Sequence, residues 1–210
     1  SGADLYGANL SGADLYGANL SGADLTNAKL FGSVLQYAIL TDAILNNADL
    51  SGANIYEADF ENADLNGASL RHTYSYKTKF FNAILTNTDF SSANFCGQLL
   101  SGKDLSGSNL SDADLHRANL SYANLTKTIL TGTDLREATL HGANISGNDL
   151  SNALLSGANL SNANLANTIL IGTDLRNVNF TNAVLTNADL SNALLHGVDL
   201  TNATTDGIIL

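Results

Sequence analysis

Residues 1–10 read SGADLYGANL, residues 11–20 repeat the same ten letters, and residues 21–25 begin them again. The leucine that ends each half of this decapeptide recurs along the chain: of the 42 positions divisible by five, 33 are Leu, five are Phe and two are Ile. Only Ser75 and Thr205 depart from this rule. Residues five apart would wind around every face of a helix and would alternate sides on a straight strand. The chain must therefore turn at fixed intervals.

Each five-residue unit places a small residue two positions before the large apolar one. Of these 42 small positions 27 are Ala and 11 are Ser, Thr or Val, and the residue between small and large is Asp in 14 units and Asn in 11. This fragment has the period of a strand, so the small and large side chains point inward and the polar one points outward. The other two residues, mostly Ser, Thr, Gly and Asn, suit corners. The pattern predicts a solenoid whose number of sides the spacing leaves open.

The unit Ala3-Asp4-Leu5-Tyr6-Gly7, repeated nearly throughout, resembles the A(D/N)LXX motif of the pentapeptide-repeat family, and its long consensus runs look most like those of cyanobacterial members. The resemblance implies an all-β fold, a right-handed quadrilateral parallel β-helix with four pentapeptides per turn. The 210 residues then make about ten turns and a rod of ~50 Å. We expect residues 1–210 to be a single domain cut from a longer protein, because the chain lacks methionine and is in register from its first residue.

Composition limits the classes of function. The chain carries 20 Asp and Glu against 9 Lys and Arg, a net charge of −11, which disfavours nucleic acid or an anionic membrane as a direct partner. It has no run of 18 apolar residues. Two of the four His share a column of a four-sided rod, and no Cys lies near them. We find no nucleophile triad, P-loop or GxGxxG pattern, and therefore expect neither enzyme activity nor a cofactor.

Two segments break the repeat. Residues 71–80 read RHTYSYKTKF, and residues 96–103 read CGQLLSGK, with polar side chains at positions that elsewhere face the core. Burying such groups without a partner is costly, so we predict a bulge or loop at one or both segments. The functional interpretation is a binding protrusion, and the alternative is a tolerated irregularity. The residues concerned are Arg71, His72, Tyr74, Ser75, Gln98 and Lys103.

One corner collects positive charge when residues 20 apart are stacked, as the resemblance implies. Four of the nine Lys and Arg fall on this corner. We predict that it docks an acidic or aromatic protein partner; the alternative is a solvated edge with room for long side chains. The alignment holds only if the irregular segments keep whole turns. The candidate residues are Tyr56, Tyr76, Lys77, His116, Arg117, Arg136, Arg176 and His196, with Tyr16 on the same corner.

The closing residues Ile208, Ile209 and Leu210 are apolar at three successive positions. A β-solenoid that stops in mid-pattern exposes a strand edge that can pair with another copy. We therefore predict end-to-end self-association or a neighbouring domain at this end. Fraying of the terminus is the alternative.

Two functions remain after these exclusions. The first is a non-enzymatic scaffold for an unknown protein partner. The resemblance to cyanobacterial members suggests the soluble domain of a membrane-anchored protein involved in heterocyst glycolipid localisation, attached only through segments outside residues 1–210. The second, also implied by the family resemblance, is an acidic DNA mimic that binds a topoisomerase such as DNA gyrase.

Overall fold

The chain winds into a coil with 20 residues per turn. In the computed structural model, which describes residues 2–210, single-residue parallel β-bridges join the outward residue of each unit to the one 20 positions later, from Asp4↔Asp24 to Asp189↔Ile209. Residues 2–210 contain no strand longer than one bridging residue and no helix, hence none that could cross a membrane. Twenty residues are four five-residue units. The fold is therefore a quadrilateral parallel β-helix, with the four sides that the spacing alone left open.

Each corner is a β-turn around two residues. At the corner Tyr6-Gly7, the Ala8 N–H donates to the carbonyl oxygen of Leu5 at 2.9 Å, and Gly7 has a φ of 62°. A positive φ at this place is what a type II turn requires. The second corner residue has a φ between 51° and 74° in all 42 units; it is Gly in 18 and another residue in 24, of which 13 are Asn. Gly and Asn recur here because they tolerate left-handed backbone.

The outward Asp and Asn side chains cap the corners. The Oδ1 atom of each of these 25 residues accepts a hydrogen bond from the backbone N–H two residues later, at 2.8–3.3 Å. In the unit 26–30 the other four N–H groups donate to backbone carbonyls, and Asp24 takes the fifth. The outward Asp and Asn side chains therefore complete the backbone hydrogen bonding of the coil.

Acids seldom stack on acids along a side. Only two of the 35 bridges, Asp4↔Asp24 and Asp114↔Asp134, join two Asp residues, whereas 11 join Asp to Val, Ile or Leu. Two like charges ~5 Å apart in water repel by about 0.8 kcal/mol, before screening by salt. The outward apolar residues thus act as spacers between carboxylates.

Large apolar side chains fill the axis of the coil. Every fifth residue from Leu25 to Leu190 is buried, including Ser75. The Ser75 hydroxyl donates to the carbonyl oxygen of Asn94 at 2.7 Å, so its polar group is satisfied. Phenylalanine occupies neighbouring core positions on the same coil and the next: the Phe80 and Phe95 centroids lie 5.9 Å apart. The rings supply volume that serine lacks.

Residues 71–80 and 96–103 stay within the coil. The bridges Tyr74↔Asn94 and Leu99↔Asn119 keep the 20-residue register, and every corner in both segments is formed. The predicted bulge or loop is therefore wrong at both places. Its premise was that polar groups buried there would lack partners, but the Ser75 hydroxyl and the Gln98 amide nitrogen both donate to backbone carbonyls inside the coil, and only the Gln98 Oε1 stays without a partner. The polar side chains do not need to leave the column.

Candidate interaction surface

Positions 16–17 and every pair 20 residues later, up to 196–197, form one corner of the coil, called here the ridge. Because the 20-residue register holds from Asp4 to Ile209, residues aligned by number are also aligned in space. The ridge therefore brings together all eight candidates of the charged corner: Tyr56, Tyr76, Lys77, His116, Arg117, Arg136, Arg176 and His196.

Tyrosine rings form a ladder on the first four coils of the ridge. Ring centroids lie 5.3 Å apart for Tyr16 and Tyr37, 5.5 Å for Tyr37 and Tyr56, and 5.9 Å for Tyr56 and Tyr76. These edge-on and stacked contacts are favourable and hold the rings in place. Hydrogen bonding with the Glu57 carboxylate raises the pKa of Tyr56 to about 12, so this phenol stays protonated. The result is a rigid aromatic surface edged with hydroxyl groups.

The basic side chains of the ridge are paired with acids. The N–O distances are 3.5 Å for Lys77 with Glu57, 2.8 Å for Arg117 with Glu137, 2.5 Å for Arg136 with Asp134 and 2.6 Å for Arg176 with Asp174. Hydrogen bonds within the last three pairs raise the pKa of each arginine and lower that of each acid. Sequence counting showed a basic corner, but the positive charge is balanced locally. Of the two histidines, His196 is exposed, and His116 has a buried Nδ1 without a partner.

Backbone strain is concentrated on the ridge. Nine second-corner residues are neither Gly, Asn nor Asp, although their φ is positive. Five of the nine lie on the ridge, and the other three corners share four. Such side chains are disfavoured in this region, so the ridge departs from the local preference of the repeat more than any other corner. The five are Tyr37, Glu57, Lys77, Arg117 and Glu137.

A seam opens between residues 76–85 and residues 96–105, which stack 20 apart. The register would place bridges at Lys79–Leu99 and Ile84–Asp104, and neither is formed. The backbone hydrogen bonds that accompany a bridge are also missing at both places. The two coils keep the 20-residue register here, but no backbone hydrogen bond joins them at these two places.

Long polar side chains at the small position account for the seam. Within residues 2–210 three bridges of the register are absent, and each follows one such residue: Gln98, Lys103 or Asn148. Gln98 Nε2 donates to the carbonyl oxygen of Thr78 at 2.5 Å, which the repeat would otherwise bond to the Leu99 N–H. The Gln98 side chain thus occupies a carbonyl oxygen that would otherwise accept a backbone hydrogen bond between the two coils. Sequence reasoning missed Asn148, although the same signal was present.

At the seam lies a cavity of about 720 Å³ that is open to the surface, called here the cleft and lined by parts of residues 76–82 and 96–103. Three lysines line it, and none of the described Asp or Glu residues does. Lys77 and Lys79 are paired with Glu57 and Asp59, whereas Lys103 has no acid partner among residues 2–210. Burial lowers the pKa of Lys103 because water no longer stabilises its charge as well.

The walls of the cleft are apolar around one buried amide. Phe81 and Leu99, at the mouth, are 65% and 72% exposed. Gln98 is 4% exposed, and its Oε1 has no hydrogen-bond partner. Burial raises the pKa of the Cys96 thiol, which also lines the cavity. Tyr76, Lys77, Cys96 and Gly97 belong to both the ridge and the cleft, so the two surfaces overlap.

The other predicted residues lie elsewhere. Arg71 faces Asp89 at 3.8 Å, His72 is an exposed corner residue, and the Tyr74 ring stacks on that of Tyr56 at 6.4 Å. At the C-terminal end, Ile209 and Leu210 are 52% and 75% exposed, and Ile208 packs partly against the core. Across residues 2–210, no group of three or more His, Cys, Asp or Glu is arranged to hold a metal ion.

The five-residue repeat identifies the family of this chain. The pattern described as Pentapeptide repeats matches the chain in eight copies between residues 1 and 202. The chain belongs to the pentapeptide-repeat family. No protein of curated function matches this pentapeptide-repeat protein.

Three solved structures show the range of similarity. HetL, a pentapeptide repeat protein involved in heterocyst differentiation regulation from the cyanobacterium Nostoc sp. strain PCC 7120, is 31% identical over 100% of this chain and 90% of its own, with a TM-score of 0.36. Rfr23 from the cyanobacterium Cyanothece 51142 is 30% identical over 53% of this chain and 63% of its own, with a TM-score of 0.20. Trypsin-treated QnrB1, a plasmid-mediated fluoroquinolone resistance protein, is 20% identical over 90% and 85%, with a TM-score of 0.51. The likeness to QnrB1 concerns the fold alone.

Proposed function

We propose that this pentapeptide-repeat protein is a non-enzymatic scaffold that binds another protein along the ridge. One observation carries the proposal: five of the nine strained corner residues share a single corner out of four. The repeat offers Gly or Asn for this position, and both would relieve the strain. Strained residues kept together on one surface indicate a role other than stability. The family's members are generally non-enzymatic, which agrees with the proposal.

The chemistry of the ridge suits protein docking. Tyr and Arg are the residue types that anchor many protein interfaces. Rings already held in a ladder lose little freedom when a partner covers them. Because the ridge cations are paired with acids, the partner surface that fits best is apolar or aromatic, with groups that hydrogen-bond to tyrosine hydroxyls, rather than strongly acidic.

Affinity capture with matched variants tests this proposal. The ridge variant replaces Tyr16, Tyr56 and Tyr76 with Ser and Tyr37 with Asn, all residues that the repeat uses at those positions. The control variant carries Tyr6→Ser and Tyr122→Asn, which remove two tyrosines that are each 64% exposed on other corners.

Proteins captured from a cyanobacterial lysate, cross-linked and quantified by mass spectrometry, should be lost with the ridge variant and kept with the control. Equal capture by all three proteins would reject docking on the ridge.

A narrower form of the proposal places the rod in a membrane-anchored cyanobacterial protein of the kind of the heterocyst glycolipid protein HglK, acting in heterocyst glycolipid localisation. Its support is the resemblance of the long consensus runs to cyanobacterial members. Attachment would come from segments outside residues 1–210. An antibody against the rod should then detect the full-length polypeptide in the membrane fraction of heterocyst-forming cells, released by detergent and not by high salt. Recovery of the full-length polypeptide in the soluble fraction would reject this narrower proposal.

The alternative function is an acidic DNA mimic that binds DNA gyrase. A net charge of −11 on a rod favours it. The spacing of carboxylates by apolar residues favours the scaffold, because duplex DNA presents one negative charge per ~1.7 Å of its axis. A gyrase supercoiling assay, with and without a quinolone, separates the two. Protection of gyrase at micromolar protein would support mimicry, and absence of protection would reject it.

A further inference from the structure

We propose that the cleft binds a small organic anion with an apolar, aromatic body and a hydrogen-bond donor. The site combines lysines without acids, a buried acceptor without a partner, and exposed apolar walls. The proposal does not rest on partner docking on the ridge: the cleft shares Tyr76, Lys77, Cys96 and Gly97 with the ridge, but Gln98, Leu99 and Lys103, which carry this proposal, lie outside it.

The charge of the cleft is opposite to that of the protein. The chain has 20 acids and 9 Lys and Arg, yet the lining contains three Lys and no Asp or Glu. Lys77 and Lys79 are paired with acids of the preceding coil, at 3.5 Å and 3.1 Å, so Lys103 is the lysine available to a ligand. A cation that is partly removed from water and has no partner gains most from an anion placed beside it. A carboxylate, sulfonate or phosphate group meets this need, and a metal ion does not.

Gln98 supplies the second contact. Its amide nitrogen is engaged with the carbonyl oxygen of Thr78, which orients the side chain. Its Oε1 is buried without a donor, a state that costs free energy in the empty site. This oxygen has no contact with solvent, so an O–H or N–H group on the ligand would satisfy it once the amide turns toward the cavity. The repeat's usual residue here, Ala, would leave no such acceptor.

Apolar walls and size define the rest of the ligand. Phe81 and Leu99 flank the mouth, and the Phe80 side chain is buried at its base. Exposed large apolar side chains beside a cavity are typical of ligand sites, and about 720 Å³ falls within the usual range for small molecules, roughly 300–1,000 Å³. A flat aromatic body would cover both residues at the mouth.

Two related dyes test the proposal. 1-Anilinonaphthalene-8-sulfonate has a sulfonate, an amine N–H and two aromatic groups, and N-phenyl-1-naphthylamine is the same molecule without the sulfonate. Fluorescence titration of the 210-residue chain should show saturable binding of the sulfonate at one site, roughly tenfold or more tighter than binding of the neutral dye. Lys103→Ala should remove this preference and Lys103→Arg should keep it. A preference that survives Lys103→Ala would overturn the assignment of the anion contact.

A second variant tests whether the cavity itself binds. Gln98→Ala with Lys103→Ala restores the repeat's usual residue at both positions, so the coils should close and saturable binding of both dyes should be lost. Phe81 and Leu99 are unchanged in this variant, so surface adsorption on them would persist. Asn148→Ala is the matched control: it removes the long residue beside the third absent bridge, far from the cleft, and should leave binding unchanged.

The only cysteine of the chain localises the bound dye, because Cys96 lines the cleft. Saturating 1-anilinonaphthalene-8-sulfonate should slow reaction of Cys96 with Ellman's reagent at pH 8.5 in the wild type and have no effect in the Gln98→Ala, Lys103→Ala protein. Unsaturable binding by the wild type, equal binding by the double variant, or an unprotected Cys96 would each overturn the proposal.

Discussion

Replacing Glu57 and Lys77 together with Asn should stabilise the coil, although it removes an ion pair. Their φ values, 51° and 57°, lie in a region disfavoured for L residues other than Asn and Asp, so we take a gain of about 1 kcal/mol per position, or about 2 kcal/mol in all. The loss includes an exposed pair at 3.5 Å, about 0.5 kcal/mol. It also includes Lys77 Nζ over the Tyr76 ring at 5.4 Å, about 0.5 kcal/mol. The Glu57 carboxylate also accepts a hydrogen bond from Tyr56, and an asparagine at position 57 keeps an amide oxygen as acceptor, so the net gain is about 1 kcal/mol, at unchanged net charge.

Urea unfolding followed by circular dichroism measures this gain as a higher midpoint at an unchanged slope. Thermal unfolding should shift upward by roughly 2–4 °C. A spectrophotometric titration gives a local check: the pKa of Tyr56, raised to about 12 by Glu57, should fall toward its ordinary value.

The matched control is Asn162→Glu with Asn182→Lys. It builds an equivalent pair 20 residues apart on another corner, where both φ values are 58°, and should lower stability. If the Glu57→Asn, Lys77→Asn protein is no more stable than the wild type, the pair outweighs the strain, and strain no longer supports a functional ridge.

Three further predictions concern caps, pH and the end of the rod. Asp49 accepts the Ser51 N–H at 3.0 Å, so Asp49→Ala should lower the free energy of unfolding in urea by roughly 0.5–2 kcal/mol, and Asp49→Asn, which keeps the acceptor, should not. Hydrogen bonds from Ser191 and Thr201 lower the pKa of Asp189 and Asp199, so they stabilise the fold above the unfolded pKa and lose this effect as pH falls through the folded pKa. Replacing both with Asn should therefore flatten the pH dependence of the urea midpoint below about pH 5, and an unchanged dependence would contradict this. End-to-end contact at the last coil predicts concentration-dependent dimers in sedimentation that Ile209→Asp with Leu210→Asp abolishes; a wild type that is monomeric throughout would contradict it.

The fold could be predicted from the sequence because one short unit contains the whole backbone pattern. Ala3-Asp4-Leu5 specifies which side chains enter the core, and Gly7 meets the positive φ of the corner. The number of sides came from the family resemblance, because five-residue spacing holds for any number of sides. The capping by Asp and Asn was missed, since the period-2 pattern says only that these residues point outward.

The candidate surface could be predicted only in part. Alignment at 20-residue intervals placed Tyr76, Arg117 and the other candidates on one corner, but charge counting does not show which acid each base contacts. Lys77 and Glu57 are 20 apart, so their pairing could have been read from the same alignment. Tyr37 was missed, although Lys77 and Arg117 occupy the same second corner position, because the alignment does not show that its ring contacts Tyr16 and Tyr56.

The cleft was the harder feature. Gln98 and Lys103 were recognised as out of place, but the predicted outcome was a loop. A loop would change how many residues separate successive coils, whereas the structure changes the distance between coils at a constant number of residues. That distance depends on hydrogen bonds across the coil, such as Gln98 to Thr78, which no one-dimensional period describes.

The spacing of carboxylates by apolar residues has a consequence for how such a rod changes length. Where Asp and an apolar residue alternate from turn to turn, inserting or deleting one turn would stack Asp on Asp along a side, whereas inserting two turns preserves the alternation. Residues 121–160 and 161–200, each two turns long, match at 22 of 40 positions, as expected if a two-turn block was copied. A block of forty residues, rather than of five or twenty, is then the unit by which this protein can be lengthened or shortened without stacking Asp on Asp.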